Sequence, residues 1–365
     1  MIFLDANASE PIRPEALDAM TEAASLAGNP SSVHRAGKQA RAVLDRARRD
    51  IASAFGASEE NCVFTSGGTE ACALAVSGLS GGRRVLIGAT EHDAVRRAAP
   101  QALSLPVRES GELCLDSLER ALADFPVPAL VCVMAANNET GVLHPLGDIA
   151  RICAGSGALL HVDAVQAAGR VPVSLLPGVT SLAISGHKFG GPKGAGALLL
   201  AGSSVRALPP LFEGGGQERG RRGGTQPLPA IAGMAAALVA ALATREAQQV
   251  RLAGFRDRIE EAERTEGAEV FGATAPRLAN TLNFAVPGMR SEALLIALDM
   301  EGVCVSAGSA CSSGKVAPSH VLAAMGAGDL AGQALRVSLP WNCTEGDVAA
   351  FIAIRDRMNR RRRGE

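Results

Sequence analysis

The segment Ser181-Leu182-Ala183-Ile184-Ser185-Gly186-His187-Lys188 begins with small and apolar residues and ends on a lysine. We predict that Ser181–Ser185 is a strand buried on both faces, because the run is continuous, apolar and too short for a helix. Lys188 then follows a strand end, and the glycine-rich stretch 189–194 comes next. A lysine so placed is suited to form a Schiff base, although most lysines beside glycines are solvated loop residues.

Three further runs have the same continuous apolar character: Arg84–Gly88, Ala129–Met134 and 158–163. The stretches between such runs, for example Leu146–Ser156, are long enough for crossover helices. This alternation is typical of a mostly parallel α/β sheet.

Polar residues follow several of these predicted strands. Asn137-Asn138-Glu139, Asp163 and 185–188 each fall where a strand ends. Ligands bind at the carboxyl ends of the strands in sheets of this kind. We therefore expect three strands to direct polar groups into one crevice.

The segment Thr65-Ser66-Gly67-Gly68-Thr69-Glu70 follows apolar residues and begins a stretch rich in alanine and leucine. Backbone N–H groups at such a helix start, together with the helix dipole, favour a bound phosphate. The alternative is a simple helix cap by Ser66 or Thr69, and the two interpretations are compatible.

The length of 365 residues suits two domains. From about 228 to 265 the pattern is helical, and we expect this helix to link a large domain, 13–246, to a smaller one. The smaller domain would combine 1–12 with 247–365. In it, 280–286 and 334–339 alternate like strands that are covered on one face.

The composition excludes several classes of function. A net charge of -1 gives no electrostatic reason to expect nucleic acid or an anionic membrane as partner. Aromatic residues make up only 3% of the chain, so stacking platforms for single-stranded nucleic acid are not expected. The N-terminus reaches Asp5 too soon for a signal peptide, and we predict no segment apolar and long enough to span a bilayer. The expected location is the cytosol.

The eight cysteines include no C-x-x-C pair and indicate neither a disulfide framework nor a zinc site, so no metal is expected. Those among apolar neighbours are predicted core residues: Cys62, Cys72, Cys132 and Cys153. Cys311 differs because it lies in Ala307-Gly308-Ser309-Ala310-Cys311-Ser312-Ser313-Gly314, whose small residues form no core face.

Several of these residues together suit pyridoxal phosphate (PLP), which a lysine binds as a Schiff base. The protonated pyridine nitrogen of PLP needs a carboxylate, and Asp163 suits that role, although a strand-end Asp is more often a cap or turn former. Gln166 is placed to donate to the phenolic oxygen of the ring. His92 is placed to stack on the ring or to move protons, the alternative being an ordinary surface histidine.

The chain resembles the cysteine desulfurases of the NifS/IscS type, in the class V aminotransferase group of fold-type I PLP enzymes. The resemblance extends nearly end to end, through ordered motifs that include Gly28-Asn29-Pro30-Ser31-Ser32, Thr90-Glu91-His92, Asn137-Asn138-Glu139-Thr140-Gly141, Gly214-Gly215-Gly216-Gln217-Glu218-Arg219 and Gly308-Ser309-Ala310-Cys311-Ser312. It implies an α/β fold with a mostly parallel, seven-stranded sheet in the large domain and a smaller α+β domain.

The resemblance also implies roles in cofactor binding. Lys188 would be the Schiff-base lysine, Asp163 the partner of the pyridinium, Gln166 the phenolate contact and His92 the stacking and catalytic histidine. The remaining cofactor contacts would hold the phosphate: Gly68, Thr69, Ser185, His187 and, from the other subunit of a homodimer, Thr225.

The implied reaction removes sulfur from L-cysteine and releases L-alanine. Asn138 would contact cofactor or substrate, and Arg336 would bind the substrate carboxylate through its planar fork. Lys188 would take the α-proton, and the Cys311 thiolate would attack the substrate sulfur and keep it as a persulfide. A sulfur-acceptor protein would then receive it, for iron–sulfur cluster assembly or tRNA thiolation.

The alternatives are a selenocysteine lyase or another aminotransferase of the same group, and a catalytically silent protein of the same fold. The chain also departs from the family pattern. Ala6 and Glu10 replace an aromatic or Asn and a threonine, and Pro340-Trp341 stands where Gly-Arg is usual. The longer members continue after the position of Arg363 with an extension that contributes to docking an iron–sulfur scaffold; we expect this extension to be lacking here, so the sequence does not identify the acceptor.

Overall fold

The computed structural model describes residues 1–124, 128–202, 208–307 and 318–363. Within these ranges the strands are β1 (Ile2–Phe3), β2 (Cys62–Thr65), β3 (Arg84–Gly88), β4 (Leu103–Leu105), β5 (Ala129–Met134), β6 (Leu159–Asp163), β7 (Ser181–Ser185), β8 (Gly196–Leu200), β9 (Glu269–Val270), β10 (Thr281–Ala285), β11 (Val303–Cys304), β12 (Ser306–Ala307) and β13 (Ala334–Ser338).

The α-helices of the same ranges are α1 (Pro14–Ala24), α2 (Arg35–Ala54), α3 (Gly68–Ser80), α4 (Asp93–Arg96), α5 (Leu115–Ala123), α6 (Leu146–Ser156), α7 (Leu228–Thr265), α8 (Ser291–Met300), α9 (His320–Ala324) and α10 (Glu345–Arg363). One turn of 3-10 helix, Gly186–Lys188, directly follows β7.

The large sheet has seven strands in the order β2-β8-β7-β6-β5-β3-β4. Strands β3 to β7 pair in parallel, whereas β8 lies antiparallel to both β2 and β7. The predicted mostly parallel sheet is confirmed, and so are the predicted strands β3, β5, β6 and β7 and the crossover helix α6.

Helices cover the large sheet on both faces. Successive residues of β5 alternate between two apolar clusters, with Val131 and Val133 in one and Leu130 and Cys132 in the other. Because side chains alternate across a strand, these clusters lie on opposite faces. The strand is therefore buried throughout, which explains its continuous apolar sequence.

The predicted core cysteines are all buried: Cys62, Cys72, Cys132 and Cys153. Burial raises the pKa of the Cys62 and Cys153 thiols to about 12, so both stay protonated and unreactive at neutral pH.

A smaller antiparallel sheet has the order β12-β13-β10-β9. The expectation that β10 and β13 are covered on one face is wrong, since every residue of both strands is buried. Their polar side chains contact the segment that follows β5: Asn283 donates to the carbonyl of Glu139 at 3.2 Å, and Arg336 donates to that of Asn138 at 3.1 Å. The proposed domain boundaries stay a prediction.

The long helix α7 corrects a second expectation. By length and composition alone it could cross a membrane, contrary to the prediction that no segment could. Half of its most apolar window is buried inside the protein, and the helix packs along α1 and α2. These contacts are typical of a core helix, which explains why α7 is rich in alanine and leucine.

Candidate active site

A cavity of about 300 Å³ lies at the carboxyl ends of β5, β6 and β7. It is lined by every predicted site residue except Thr225 and Cys311: Gly68, Thr69, His92, Asn138, Asp163, Gln166, Ser185, His187, Lys188 and Arg336. Thr225 is exposed and does not line this cavity. Cys311 lies outside the described residues. The volume is at the low end of the range for small-molecule sites, roughly 300–1,000 Å³.

Lys188 enters the cavity from the 3-10 turn that follows β7. Its Nζ donates to the carbonyl oxygens of Asn7 at 2.6 Å and Ala8 at 3.0 Å. The turn needs glycine at Gly186, where an added Cβ would lie 2.9 Å from Met234 Cγ. The glycine two residues before the lysine is therefore required by packing.

Asp163 ends β6 and is 7% exposed at the cavity wall. Its Oδ1 accepts from the backbone N–H of Val165 at 2.9 Å, so the turn-forming role and a cofactor role coexist. Burial raises the pKa of the Asp163 carboxyl, while the Val165 N–H and the nearby His92 and Lys188 oppose that rise. A cation in the cavity would stabilise the carboxylate, and a protonated pyridine nitrogen fits that requirement.

The start of α3 is the predicted phosphate site. The cap residue is Gly67, with no side-chain hydrogen bond, so the expected cap by Ser66 or Thr69 is wrong. A Cβ added to Gly68 would lie 2.6 Å from Val165 Cγ2 and 3.4 Å from Ser185 Cβ. Because no side chain caps the helix, its first N–H groups are left to face a bound anion.

Two histidines line the cavity, His92 and His187. His92 Nδ1 accepts from the N–H of Ala94 at 3.1 Å, which fixes the ring at the start of α4. Burial, with the nearby Lys188 and Lys193, lowers the pKa of His187 to about 4, so this ring is neutral at physiological pH. A neutral imidazole beside the phosphate cradle can donate one hydrogen bond.

Arg336 on β13 is 2% exposed, and its fork is partly occupied. Nη1 donates to the Asn138 carbonyl at 3.1 Å, and Nη2 donates to Asp5 Oδ1 at 2.7 Å. Nε is buried without a hydrogen-bond partner in the described part of the chain. A buried donor of this kind is costly, and an incoming carboxylate would satisfy it.

Sequence reasoning named no site residue in the N-terminal segment, yet two of its residues lie in the cavity wall. Asn7 and Ala8 line the cavity. The Asn7 side chain donates to the Asn138 carbonyl at 3.1 Å and to Thr281 Oγ1 at 2.9 Å. The available signal was a lone asparagine between two alanines, next to the apolar residues that begin the chain.

Glu139, next to Asn138, is a buried carboxyl outside the cavity lining. Its Oε2 accepts from Ser319 Oγ at 2.5 Å. Ser319 also caps α9 by accepting from the N–H of Leu322 at 3.1 Å. Burial raises the pKa of Glu139 to about 7, against the opposing effects of Ser319, Arg336 and His92.

Comparison with known proteins agrees with this architecture. The sequence model of the family described as Aminotransferase class-V matches residues 2–351. The IscS-like cysteine desulfurase of Mycobacterium tuberculosis is 37% identical, over 97% of this chain and 95% of the relative. The cysteine desulfurase IscS of Dictyoglomus turgidum is 36% identical, over 98% of this chain and 94% of the relative. The solved NifS-like protein from Rickettsia africae has a TM-score of 0.91 at 31% identity, covering 98% of this chain and 99% of its own.

Proposed function

The chain belongs to the class-V aminotransferase family and is a PLP-dependent cysteine desulfurase, and on this premise we propose which residues perform the reaction. The relatives favour this activity over a selenocysteine lyase or another aminotransferase. The observation that carries the assignment of residues is that one cavity gathers the predicted side chains from separate parts of the chain.

The cavity fits the cofactor at each end. Lys188 would hold PLP covalently, Asp163 would pair with the pyridine nitrogen, and the start of α3 with Ser185 and His187 would hold the phosphate. When bound, PLP supplies an electron sink for negative charge at the substrate α-carbon. Gln166 would donate to its phenolic oxygen, and His92 would lie against the ring.

L-Cysteine would bind with its carboxylate in the fork of Arg336, close to Asn138. Nε of Arg336, which has no partner in the described residues, would donate to one carboxylate oxygen, and Nη2, which now donates to Asp5, would be shared with the other. Lys188 Nζ is the base that would take the α-proton. Its contacts with the Asn7 and Ala8 carbonyls keep Nζ at the cavity wall, where it can act.

Cys311 would receive the sulfur. Its thiolate would attack the substrate sulfur, so that an S–S bond forms and the C–S bond of the substrate breaks. The electron pair of the C–S bond would stay with the substrate β-carbon, which takes up a proton, and alanine would leave. A thiol with an ordinary pKa of ~8.5 is only a few per cent ionised at neutral pH, so Cys311 needs activation. The persulfide would pass to an acceptor protein, such as an iron–sulfur scaffold or a tRNA-thiolation protein, and two relatives carry the name IscS.

We also propose a cytosolic homodimer in which Thr225 of each subunit contacts the phosphate bound by the other. The exposed position of Thr225, outside its own cavity, supports this arrangement. Mixed dimers of Lys188→Ala and Thr225→Val subunits test it. If Thr225 acts across the interface, each mixed dimer regains one intact site. If it acts within its own subunit, no activity returns.

Spectroscopy tests the cofactor assignment. The purified protein should show a visible absorption band that borohydride bleaches and that Lys188→Ala lacks, while the control Lys193→Ala keeps it. L-Cysteine should yield sulfide and alanine in equal amounts, and Cys311→Ser should abolish both, whereas Cys114→Ser should not. A colourless protein would contradict the role of Lys188, and an active Cys311→Ser would contradict that of Cys311.

A further inference from the structure

Two of the departures from the family pattern, Glu10 and Trp341, contact each other. Glu10 Oε2 accepts from the backbone N–H of Trp341 at 3.2 Å. The Trp341 indole donates to the Pro11 carbonyl at 2.9 Å, and the Arg13 guanidinium lies 4.8 Å from the centre of the Trp341 ring. The segment Pro340-Trp341, which replaces the Gly-Arg usual in the family, thus holds the Glu10 carboxylate in place.

Glu10 pairs with a buried arginine behind the cavity. Arg170 Nη2 lies 3.2 Å from Glu10 Oε1, and the two side chains are only 11% and 6% exposed. The same guanidinium donates through Nη1 to Gln166 Oε1 at 2.5 Å and to Asn7 Oδ1 at 2.8 Å. Arg170 therefore contacts a cavity-lining residue on one side and Glu10 on the other.

These contacts determine which way the oxygen and the nitrogen of the Gln166 amide point. Arg170 can only donate hydrogen bonds, so the amide oxygen must face it. The Asn7 carbonyl can only accept, and Gln166 Nε2 donates to it at 2.9 Å. In the described part of the chain, this leaves the second N–H of the amide for a group inside the cavity.

Among the residues that the structure describes, the charged groups around Arg170 are one carboxylate, Glu10, and the guanidinium groups of Arg13 and Arg336. Burial raises the pKa of Glu10, and Arg170 and Arg13 oppose the rise. Burial lowers the pKa of Arg170, and Glu10 opposes that fall, while Arg336 adds to it. Because Arg170 is buried, solvent screens its positive charge only weakly, and the charge acts on groups inside the cavity.

We propose that Arg170 is a positioning residue that holds the Gln166 amide towards the phenolic oxygen of the cofactor, and that Glu10 moderates its positive charge. The inference rests on the proposed function, because it assumes that Gln166 contacts PLP. A donor and a cation on that side stabilise negative charge on the phenolic oxygen. The nitrogen that joins Lys188 to the cofactor would then hold its proton less tightly, so its pKa would fall.

The test is a pH titration of the visible absorption band of the holoenzyme. Arg170→Met should raise the midpoint by about one pH unit, since a hydrogen bond to a charged group is worth roughly the free energy of one pKa unit. Glu10→Gln should move the midpoint the other way, because Arg170 then loses its counter-charge. In the double variant the effect of Glu10→Gln should vanish, because Glu10 acts through Arg170.

The dissociation constant of PLP gives a second measurement. Arg170→Met should raise this dissociation constant about tenfold, as expected for the loss of one hydrogen bond from Gln166 to the cofactor. The value for Arg170→Lys should lie between those of the wild type and Arg170→Met. Arg41→Met and Asp45→Asn, in an exposed pair, are the matched controls and should change neither quantity. If both quantities stay unchanged in Arg170→Met and in the isosteric Glu10→Gln, the inference is wrong. A wild-type protein without a visible band would instead overturn the proposed function.

Discussion

Asp5 Oδ1 lies 2.7 Å from Nη2 of Arg336, the residue that we propose binds the substrate carboxylate. Asp5 comes from the N-terminal segment and Arg336 from β13, and the arginine side chain is only 3% exposed. A carboxylate of the protein therefore occupies part of the fork that a substrate carboxylate would use. Asp5 and substrate compete for the charge of Arg336.

Asp5→Asn should therefore lower the KM for L-cysteine. Asparagine keeps an oxygen that accepts from Arg336 but removes the competing charge. We expect a decrease of about fivefold, the size of a partly exposed ion pair, with kcat little changed. Steady-state alanine release measures both, and Asp18→Asn on the exposed face of α1 is the control. A higher KM would mean that Asp5 orients Arg336 and does not compete.

Gly68→Ala should weaken PLP binding by at least about tenfold. The new Cβ would lie 2.6 Å from Val165 Cγ2, so either that side chain or the start of α3 must move. Equilibrium titration with PLP measures the effect, and adding Val165→Ala should recover part of the affinity. Gly147→Ala, also in the first turn of a helix but with open space around it, should bind PLP normally. Equal affinities for the two alanine variants would contradict the cradle.

Glu139 should make stability fall as pH rises. Burial raises the pKa of its carboxyl in the folded protein from 4.5 to about 7, so folding favours the protonated form. Its contribution is complete below pH 4.5 and is lost as pH rises through 7. Relative to wild type, Glu139→Gln should gain up to about 3 kcal/mol in free energy of unfolding between pH 5 and 8. Urea unfolding of the holoenzyme across this range measures it, and parallel profiles would refute the assignment.

Arg355→Met should destabilise the protein by about 3–5 kcal/mol. Arg355 and Glu263 form a two-pronged ion pair between α10 and α7, with distances of 2.7 and 2.8 Å and both side chains 2% exposed. Removing the arginine leaves a buried carboxylate without its counter-charge.

The control for this prediction is Arg258→Met. Arg258 pairs with Glu345 at the surface, where its side chain is 43% exposed, so the loss should stay below about 1 kcal/mol. Replacing both buried partners, Arg355→Met with Glu263→Met, should recover most of the stability. Urea unfolding compares the variants, and equal losses at the two sites would show that the buried pair is not special.

The sequence determined the elements whose character is local. Strands β5 and β7 were predictable because a short, continuous apolar run suits a strand buried on both faces. The positions of Asp163 and Lys188 at the cavity followed from the rule that parallel strands end at one edge of the sheet. Each of these inferences needs only neighbouring residues and one general property of sheets.

Tertiary structure decided what depends on contacts between distant segments. The polar faces of β10 and β13 look solvent-exposed in sequence, yet they are buried, and their side chains donate to the carbonyls of Asn138 and Glu139. Asn7 contacts Lys188 across 181 residues of sequence, and Glu10 contacts Trp341 across 331. Such pairings depend on how distant segments pack against each other, and that geometry is not visible in the residue types of either segment alone.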